Sequence, residues 1–513
     1  MRSLSFLFAL LLPSLALASG FKDVGDDLEP AEGSLFDIQG QFRLRGEWLN
    51  NFDLDHGLTP SGEPLFPGPV ADPDAQSLTF ADMRLRTDLA FVAPTGGVGV
   101  KMRLDVFDNL ALGSTPNGPP LATKSQVSPA QAINVERLYG EVLLPFGLLA
   151  AGRMGADWGL GMLANGGDCD DCDSGDAADR IAFITPVFGH IFAIGYDFTN
   201  IGSVRSRKSG SRVIDFEPAD DVRTLNFAVL RYFDEIAHER RRAAGKSTVE
   251  YGAYLSHQWQ EYDIPASYIA GVPPGAILRD YSATAIDGWF RVSGPWGRVE
   301  LEAAVLTGEI GQASLIKGLE LNEPVTTLAY GAALQSDFGS LDFPLRGGLD
   351  LGFASGDAAP GFGAYPGLSS AAQPGDLDGL QFNYPSDTTV DNFAFHPDYR
   401  IDRILFRELI GTVTDAVYIR PHLDWRIADL GPSALTASLF AVASMAVEPN
   451  STPGGERPLA LELDPTIAYG SDDGFRAALE YAVLIPFSGL DNRLSGQSAS
   501  AAQMLRLRLH YVF

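Results

Sequence analysis

The chain has 513 residues, 45% of them hydrophobic, and a formal net charge of −28 at pH 7. So negative a balance argues against nucleic acid as a partner and fits long acidic surface loops. Only two cysteines are present, Cys169 and Cys172, in keeping with an oxidising compartment.

The amino terminus reads as an export signal. Arg2 is the charged start, Leu4 to Leu12 the apolar run, and Ala16-Leu17-Ala18 the small-residue cleavage site, so residues 1–18 are expected to be a signal peptide. The apolar run is too short to span a bilayer as a helix. Residues 19–34 are acidic and read as a flexible segment, and residues 35–513 follow as one unit.

That unit alternates. In Phe36 to Trp48, Ile38, Phe42, Leu44 and Trp48 fall on one face, while Gln39, Gln41, Arg43, Arg45 and Glu47 fall on the other. The next stretch sets Met83, Leu85, Leu89 and Phe91 against Asp82, Arg84, Arg86 and Asp88; the third sets Val98, Val100, Met102, Leu104 and Val106 against Lys101, Arg103 and Asp105. Period-two alternation is the signature of a strand with one apolar and one polar face.

Connections alternate too. Tight turns at Ala93–Gly97, Pro145–Gly147, Pro186–Gly189, Gly294–Gly297, Asp337–Ser340, Gly431–Ser433 and Gly470–Gly474 are separated by long, polar, Gly/Pro-rich stretches. On this rhythm strands begin near Leu35, Leu78, Val98, Ala132, Leu148, Ala178, Gly189, Val222, Thr248, Tyr281, Arg298, Val325, Leu341, Asp415, Ala434, Leu459, Gly474 and Gln503. That is about 18 strands, an even number as single-chain barrels require, with 16 still open. Asp234–Lys246, with Glu239-Arg-Arg-Arg242, is long for a tight turn and leaves room for a helical insert. Aromatic residues near strand ends (Trp48, Phe91, Phe198, Tyr232, Trp289, Trp296, Tyr418, Phe487 and Tyr511) fit the girdles of a membrane barrel.

The last strand sets Leu505, Leu507, Leu509, Tyr511 and Phe513 against Arg506, Arg508 and His510. With this terminal aromatic, the signal, the alternation and the unequal loops, the chain resembles porin-type bacterial outer-membrane β-barrels. Its arginine-rich early strands are also similar to alginate-export-type barrels. The resemblance implies an all-β, closed antiparallel transmembrane barrel in the cell outer membrane, in contact with lipid and with small hydrophilic solutes. Oligomerisation is left open, and no cofactor is implied.

Three constellations carry chemistry. Arg43, Arg45, Arg84, Arg86, Lys101, Arg103, Arg137, Arg153, Arg506 and Arg508 share the inward parity, with Arg420, His422, Asp424 and Arg426 on another inward face. If the last strand closes on the first, the former make one basic arc on the lumen wall. Such an arc reads as a guide rail for anions; alternatively Glu47, Asp82, Asp88, Asp105 and Glu141 neutralise it. Asn165–Asp176 holds Cys169 and Cys172 in a run of aspartates, expected to be an outer loop stapled by a disulfide. Its lone C-x-x-C lacks the second pair a zinc site needs, and its carboxylates read as solvated charge before they read as a calcium site. The longest loop, about Ala358 to Thr414, ends in Asp398–Gly411. There Ile401, Ile404, Leu405 and Ile410 predict an amphipathic helix capped by Asp398, folded inward to narrow the lumen.

Catalytic signals are thin. No G-x-S-x-G or H-E-x-x-H is present, and a meeting of Asp82, Asp88 and His510 is the one arrangement worth testing. The reading is a diffusion channel for hydrophilic, anionic solutes rather than an enzyme. A barrel that conducts nothing, with cation-binding acidic loops, is the alternative.

Overall fold

A computed structural model describes residues 35–69, 72, 75–93, 96–113, 132–199, 204–206, 213–215, 217–339, 343–365, 372–379 and 381–513. The expected signal peptide and the segment 19–34 lie outside the described residues, as do Pro94 and Thr95 of the first short turn.

The strands are β1 (Phe36–Asn50), β2 (Ser77–Val92), β3 (Val98–Ala111), β4 (Ile133–Leu144), β5 (Gly147–Gly155), β6 (Ala177–Val187) and β7 (His190–Phe198). A small hairpin, β8 (Val204–Ser206) with β9 (Val213–Asp215), stands apart from the main sheet. There follow β10 (Arg223–Arg231), β11 (Thr248–Asp263), β12 (Ile277–Gly294), β13 (Gly297–Ile310), β14 (Val325–Phe338) and β15 (Leu345–Ala354). The chain finishes with β16 (Ala416–Asp429), β17 (Ser433–Ala446), β18 (Pro458–Ser471), β19 (Phe475–Pro486) and β20 (Ala502–Val512).

All but the β8–β9 hairpin form one antiparallel sheet of 18 strands, each paired with its neighbours. The sheet closes where Gln41–Asn50 of β1 runs against Gln503–Val512 of β20. Closure leaves no sheet edge unpaired, the condition for putting strands into hydrocarbon. The terminal Phe513 seals the seam: its backbone exchanges both hydrogen bonds with Gly40 at 2.9 Å. A Cβ on Gly40 would sit 2.5 Å from the Phe513 ring, so the position has room only for glycine.

The short connections lie at one end and the long ones at the other, as the turn rhythm predicts. The exception at 232–247 is a nine-residue helix, α1 (Glu235–Ala243), capped by the Asp234 side chain, which accepts from the Ala237 N–H at 2.6 Å. No helix among the described residues is long and apolar enough to cross a membrane; the strands do so instead. Phe42, Val100, Ile181, Ile286, Ile419 and Leu507 are among the apolar side chains exposed on the outer face. Phe91, Phe198, Trp296, Phe487 and Tyr511 are exposed as girdle residues would be, but Trp289 and Tyr418 are buried and face inward. Their phase along β12 and β16 puts them with the interior set, which proximity to a strand end does not reveal.

Candidate functional site: a lumen crossed by two interlocked loops

The basic arc forms as the seam register dictates, since β1 lies between β2 and β20. Arg43, Arg84 and Arg506 are all but fully buried, and Arg45 and Arg86 nearly so. Same-face carboxylates take up part of the charge. Arg45 pairs with Asp82 at 3.1 Å, Arg86 with Asp105 at 2.6 Å and Arg103 with Asp88 at 2.6 Å. Lys101 lies 3.4 Å from Glu141, Arg506 2.5 Å from Glu47, and Arg508 2.8 Å from Glu480.

The rest is taken up by the cysteine loop, which corrects the expectation of an outer loop with solvated charge. Residues 156–176 fold into the barrel. The Trp158 indole donates to Asp287 at 3.0 Å, and the Leu160 and Leu163 N–H groups donate to Glu302, tying the loop to β12 and β13. The chain then reaches across to β1. There Arg43 donates to the Cys172 carbonyl and to Asp173, both at 2.8 Å. Arg45 meets Asp171 at 3.2 Å and Asp173 at 2.7 Å, and Arg506 meets Asp171 at 3.1 Å. Arg137 donates to the Gly166 carbonyl at 2.6 Å and shares Asp168 with Arg103. Cys169 and Cys172 are joined by a disulfide, Cα–Cα 5.1 Å, at the tip that carries Asp170, Asp171 and Asp173. Lone pairs given to guanidinium groups are not available to calcium.

The long loop locks over this tip. Asp398 accepts from the Asp173 N–H at 2.8 Å, the Ser174 N–H at 3.0 Å and the Ser174 hydroxyl at 2.7 Å. Arg400 reaches Asp173 at 2.6 Å, and Arg407 closes on Asp171. Burial alone would raise the carboxyls of Asp171 and Asp173. The surrounding guanidinium groups overcome it and hold both well below the usual carboxylate range.

The predicted helix shrinks to one π-helical turn, Leu405–Leu409. Its caps also differ from the expected Asp398. Glu462 on β18 accepts from the N–H groups of Arg403 and Ile404 at 2.8 Å and Leu405 at 3.0 Å, while Asp402 accepts from Phe406 at 2.9 Å and Arg407 at 3.1 Å. Glu462, from a distant strand, and Asp402 nearby take the N–H groups that a helix starting at Asp398 would have bonded to its own carbonyls. The apolar stripe is used as expected. Ile401, Ile404, Leu405 and Ile410, with Phe393, Phe395 and Tyr399, join one buried cluster with small inward residues such as Ala333, Ala416, Ala460 and Ala482.

Two of the arginines expected in the arc stand out. Arg153 lies outside it: it shares the outward parity of Leu149 and Ala151, and its half-exposed side chain pairs with half-exposed Asp179 at 2.8 Å. The strand's inward set is Leu148, Ala150 and Met154, which the charge pattern alone concealed. Arg84, 1% exposed, donates no hydrogen bond, and Asp108 Oδ1 stands 3.9 Å away. Opposite it β3 carries a bulge: the register moves from Leu85↔Val106 to Met83↔Leu110, with left-handed Phe107 at φ 52° and Asn109 at φ 48°. The bulge turns Asn109 inward, where Arg43 donates to its Oδ1 at 2.5 Å.

Across the lumen, Arg420 pairs with Asp350 at 2.7 Å, His422 lies 3.4 Å from Asp424, and Arg426, a third exposed, lies 3.5 Å from Asp429. His510 meets Gln41 at 2.7 Å and stands 4.0 Å from Asp170 instead of joining Asp82 and Asp88. Arg400, Arg403 and Arg407, which the sequence reading did not count as lumen cations, are among the residues it missed, as are Arg180, paired with Asp197, and Arg476, 3.8 Å from Asp170. The signal of the first three was the basic face of the Asp398–Gly411 stripe.

No family model matches the chain, and no curated protein matches it. Among solved structures it is similar to the outer-membrane protein OpdK of Pseudomonas aeruginosa, with 11% identity, 93% of this chain and 99% of that one covered, and a TM-score of 0.45. A BenF-like porin from Pseudomonas fluorescens shares 11% identity over 93% and 98% of the two chains, TM-score 0.44. OpdG of Pseudomonas aeruginosa shares 15% over 93% and 98%, TM-score 0.45. At these values the likenesses say nothing of a shared solute. On its own geometry, the chain is a closed 18-stranded β-barrel of the outer-membrane type.

Proposed function

We propose that this barrel is an outer-membrane diffusion channel for hydrophilic, anionic solutes, narrowed by the two loops that cross its lumen. The observation that carries the reading is the convergence of Arg43, Arg45, Arg400, Arg407 and Arg506 on Asp171 and Asp173. A wall able to hold carboxylates brought by a separate segment is built to meet anions. Barrels of 16–18 strands are also wide enough for an aqueous path beside such loops. Arg426, a third exposed, supplies a less enclosed cation on the inward parity of Arg420. Arg43, Arg45, Arg84, Arg86, Lys101, Arg103, Arg137, Arg420, Arg506 and Arg508 form the lining proposed here; Arg153 is not among them.

A second reading, a barrel that conducts nothing, draws on the near-complete burial of Arg43, Arg84 and Arg506. Reconstitution in planar bilayers under asymmetric salt separates the two. Ohmic steps with an anion-preferring reversal potential support the channel, and replacing Arg43, Arg84 and Arg103 with Glu then shifts that potential towards cations. Silent insertion supports the second reading. An unshifted potential removes those side chains from the conducting path.

A further inference from the structure

Connections at the short-turn end are as brief as two residues, Pro145–Phe146 and Pro295–Trp296 among them, yet the one between β10 and β11 runs from Tyr232 to Ser247 and contains α1. It departs in charge as well. Arg231, Arg240, Arg241, Arg242 and Lys246 stand against Asp234, Glu235 and Glu239, so this stretch is net positive in a chain of net charge −28.

The helix is fixed to the lumen wall. The Phe233 N–H donates to Glu250 at 3.0 Å, and the His238 ring lies 3.1 Å from the Thr248 hydroxyl and 3.2 Å from Glu250. Thr248 and Glu250 are buried on the inward face of β11, and Arg291 of β12 donates to the same Glu250 at 2.6 Å. Past the end of the helix, Ser247 offers its carbonyl to Arg241 at 2.8 Å, and the Arg241 guanidinium lies 5.6 Å over the Phe233 ring. Arg242 falls one turn after His238, hence on the side of the helix that meets the lumen wall.

The other cations are left over. Arg240 and Lys246 are exposed and Arg242 is half-buried, and none of the three enters a hydrogen bond or ion pair among the described residues. Arg45, Arg86 and Arg506 in the lumen differ, since each faces a carboxylate. Cations in a last helical turn suit the helix dipole, which accounts for Arg241 but not for Lys246, beyond the helix. Fixed charge at an opening draws counter-ions over roughly one Debye length, about 10 Å at 0.1 M salt.

We infer that α1 is an electrostatic collar at the periplasm-facing mouth, where Arg240, Arg242 and Lys246 raise the local concentration of small anions. The inference rests on the channel reading above and adds to it a set of unpaired cations at the end away from the long loops. The paired arginines of the arc act on contact; the collar acts at a distance and by charge alone, on chloride as on a carboxylate or phosphate.

The test compares single channels of the full-length parent and of Arg240→Gln/Arg242→Gln/Lys246→Gln in planar bilayers, with potassium chloride gradients applied in each direction. With gradients centred on about 0.1 M, the variant is expected to lose about half of the parent's chloride-over-potassium permeability ratio when the dilute side faces α1, and less in the reverse direction. At about 1 M, where the Debye length is about 3 Å, the two proteins should agree. Arg153→Gln, which removes a cation from the outer face, should keep the parent's ratio. A retained strand signal in circular dichroism shows that the variant folds; should it not, Lys246→Gln takes its place, with a smaller loss of the same sign. A ratio equal to the parent's in dilute salt, or a loss as large in concentrated salt, would overturn the collar and leave the channel standing. No conductance by the parent would overturn the channel reading and the collar with it.

Discussion

Two walls of one lumen hold the same loops by different physics. On the side of β1, β2 and β20 the contact is ionic: Arg43, Arg45 and Arg506 grip the aspartates of the cysteine loop. From β13 round to β20, near the long-loop end, it is apolar: aromatic and branched side chains of residues 393–413 pack on alanines of the strands. Dispersion and burial on the second wall are indifferent to ionic strength, whereas ion pairs reached by water are screened. One wall anchors; the other is the adjustable contact. The division also shows why so many charges are tolerated in the interior: the buried cations of the arc have carboxylate neighbours, and Arg84, with Asp108 at 3.9 Å and no hydrogen bond, is the most loosely paired.

The largest effect is expected on the apolar wall. Phe395, 1% exposed, sits 5.3 Å from Tyr399 and 5.8 Å from Phe393 between ring centroids. Phe395→Ala should cost roughly 3–5 kcal/mol by cavity formation, read as a lower denaturant midpoint with the barrel's strand signal retained. A midpoint equal to the parent's would show that this cluster does not hold the loop. Next comes Glu462→Gln, which weakens the acceptor of three N–H bonds and should cost roughly 1.5–3 kcal/mol by the same readout.

The pH response has opposite signs at the two kinds of contact. Asp171 and Asp173 are depressed, so their stabilisation is present above the ordinary carboxylate value of about 4 and is lost only as pH falls below it. Asp402 is the reverse. Burial first, then Asp464, push it up to about 7, so its folded form holds a proton that the unfolded chain has released. Stability should therefore decline as pH rises from 5 to 8, seen as a lower denaturant midpoint at pH 8. Equal midpoints would remove Asp402 from the anchor. The smallest effect belongs to Arg153→Ala on the outer face, expected within about 0–1 kcal/mol and without change in reversal potential. A shifted potential there would return Arg153 to the lumen.

Strand positions were legible because a sheet with lipid outside and water inside must alternate, and because unequal loops mark the two ends. Every barrel strand begins within a few residues of its expected place, from Phe36 to Ala502. The interior was legible only in part. Parity placed Arg45 and Arg506, but nothing local says that Asp171 leaves its own loop layer to meet them, a contact spanning 335 residues to Arg506. The π-helical turn was misjudged in length because its capping acceptor, Glu462, comes from a strand 58 residues beyond Ile404. Arg153 misled because its partner Asp179 is also charged, so an exposed pair on the outer face looked like lining.

Replacing Asp171 and Asp173 together with Asn tests the central claim most directly, through single-channel conductance and reversal potential of parent and double variant in the same asymmetric salt. Freed from internal carboxylates, Arg45, Arg400, Arg407 and Arg506 should give a larger conductance and a stronger anion preference. Conductance and potential identical to the parent's, or no conductance in either protein, would contradict a lumen in which that acidic tip stands between the cationic wall and the solute.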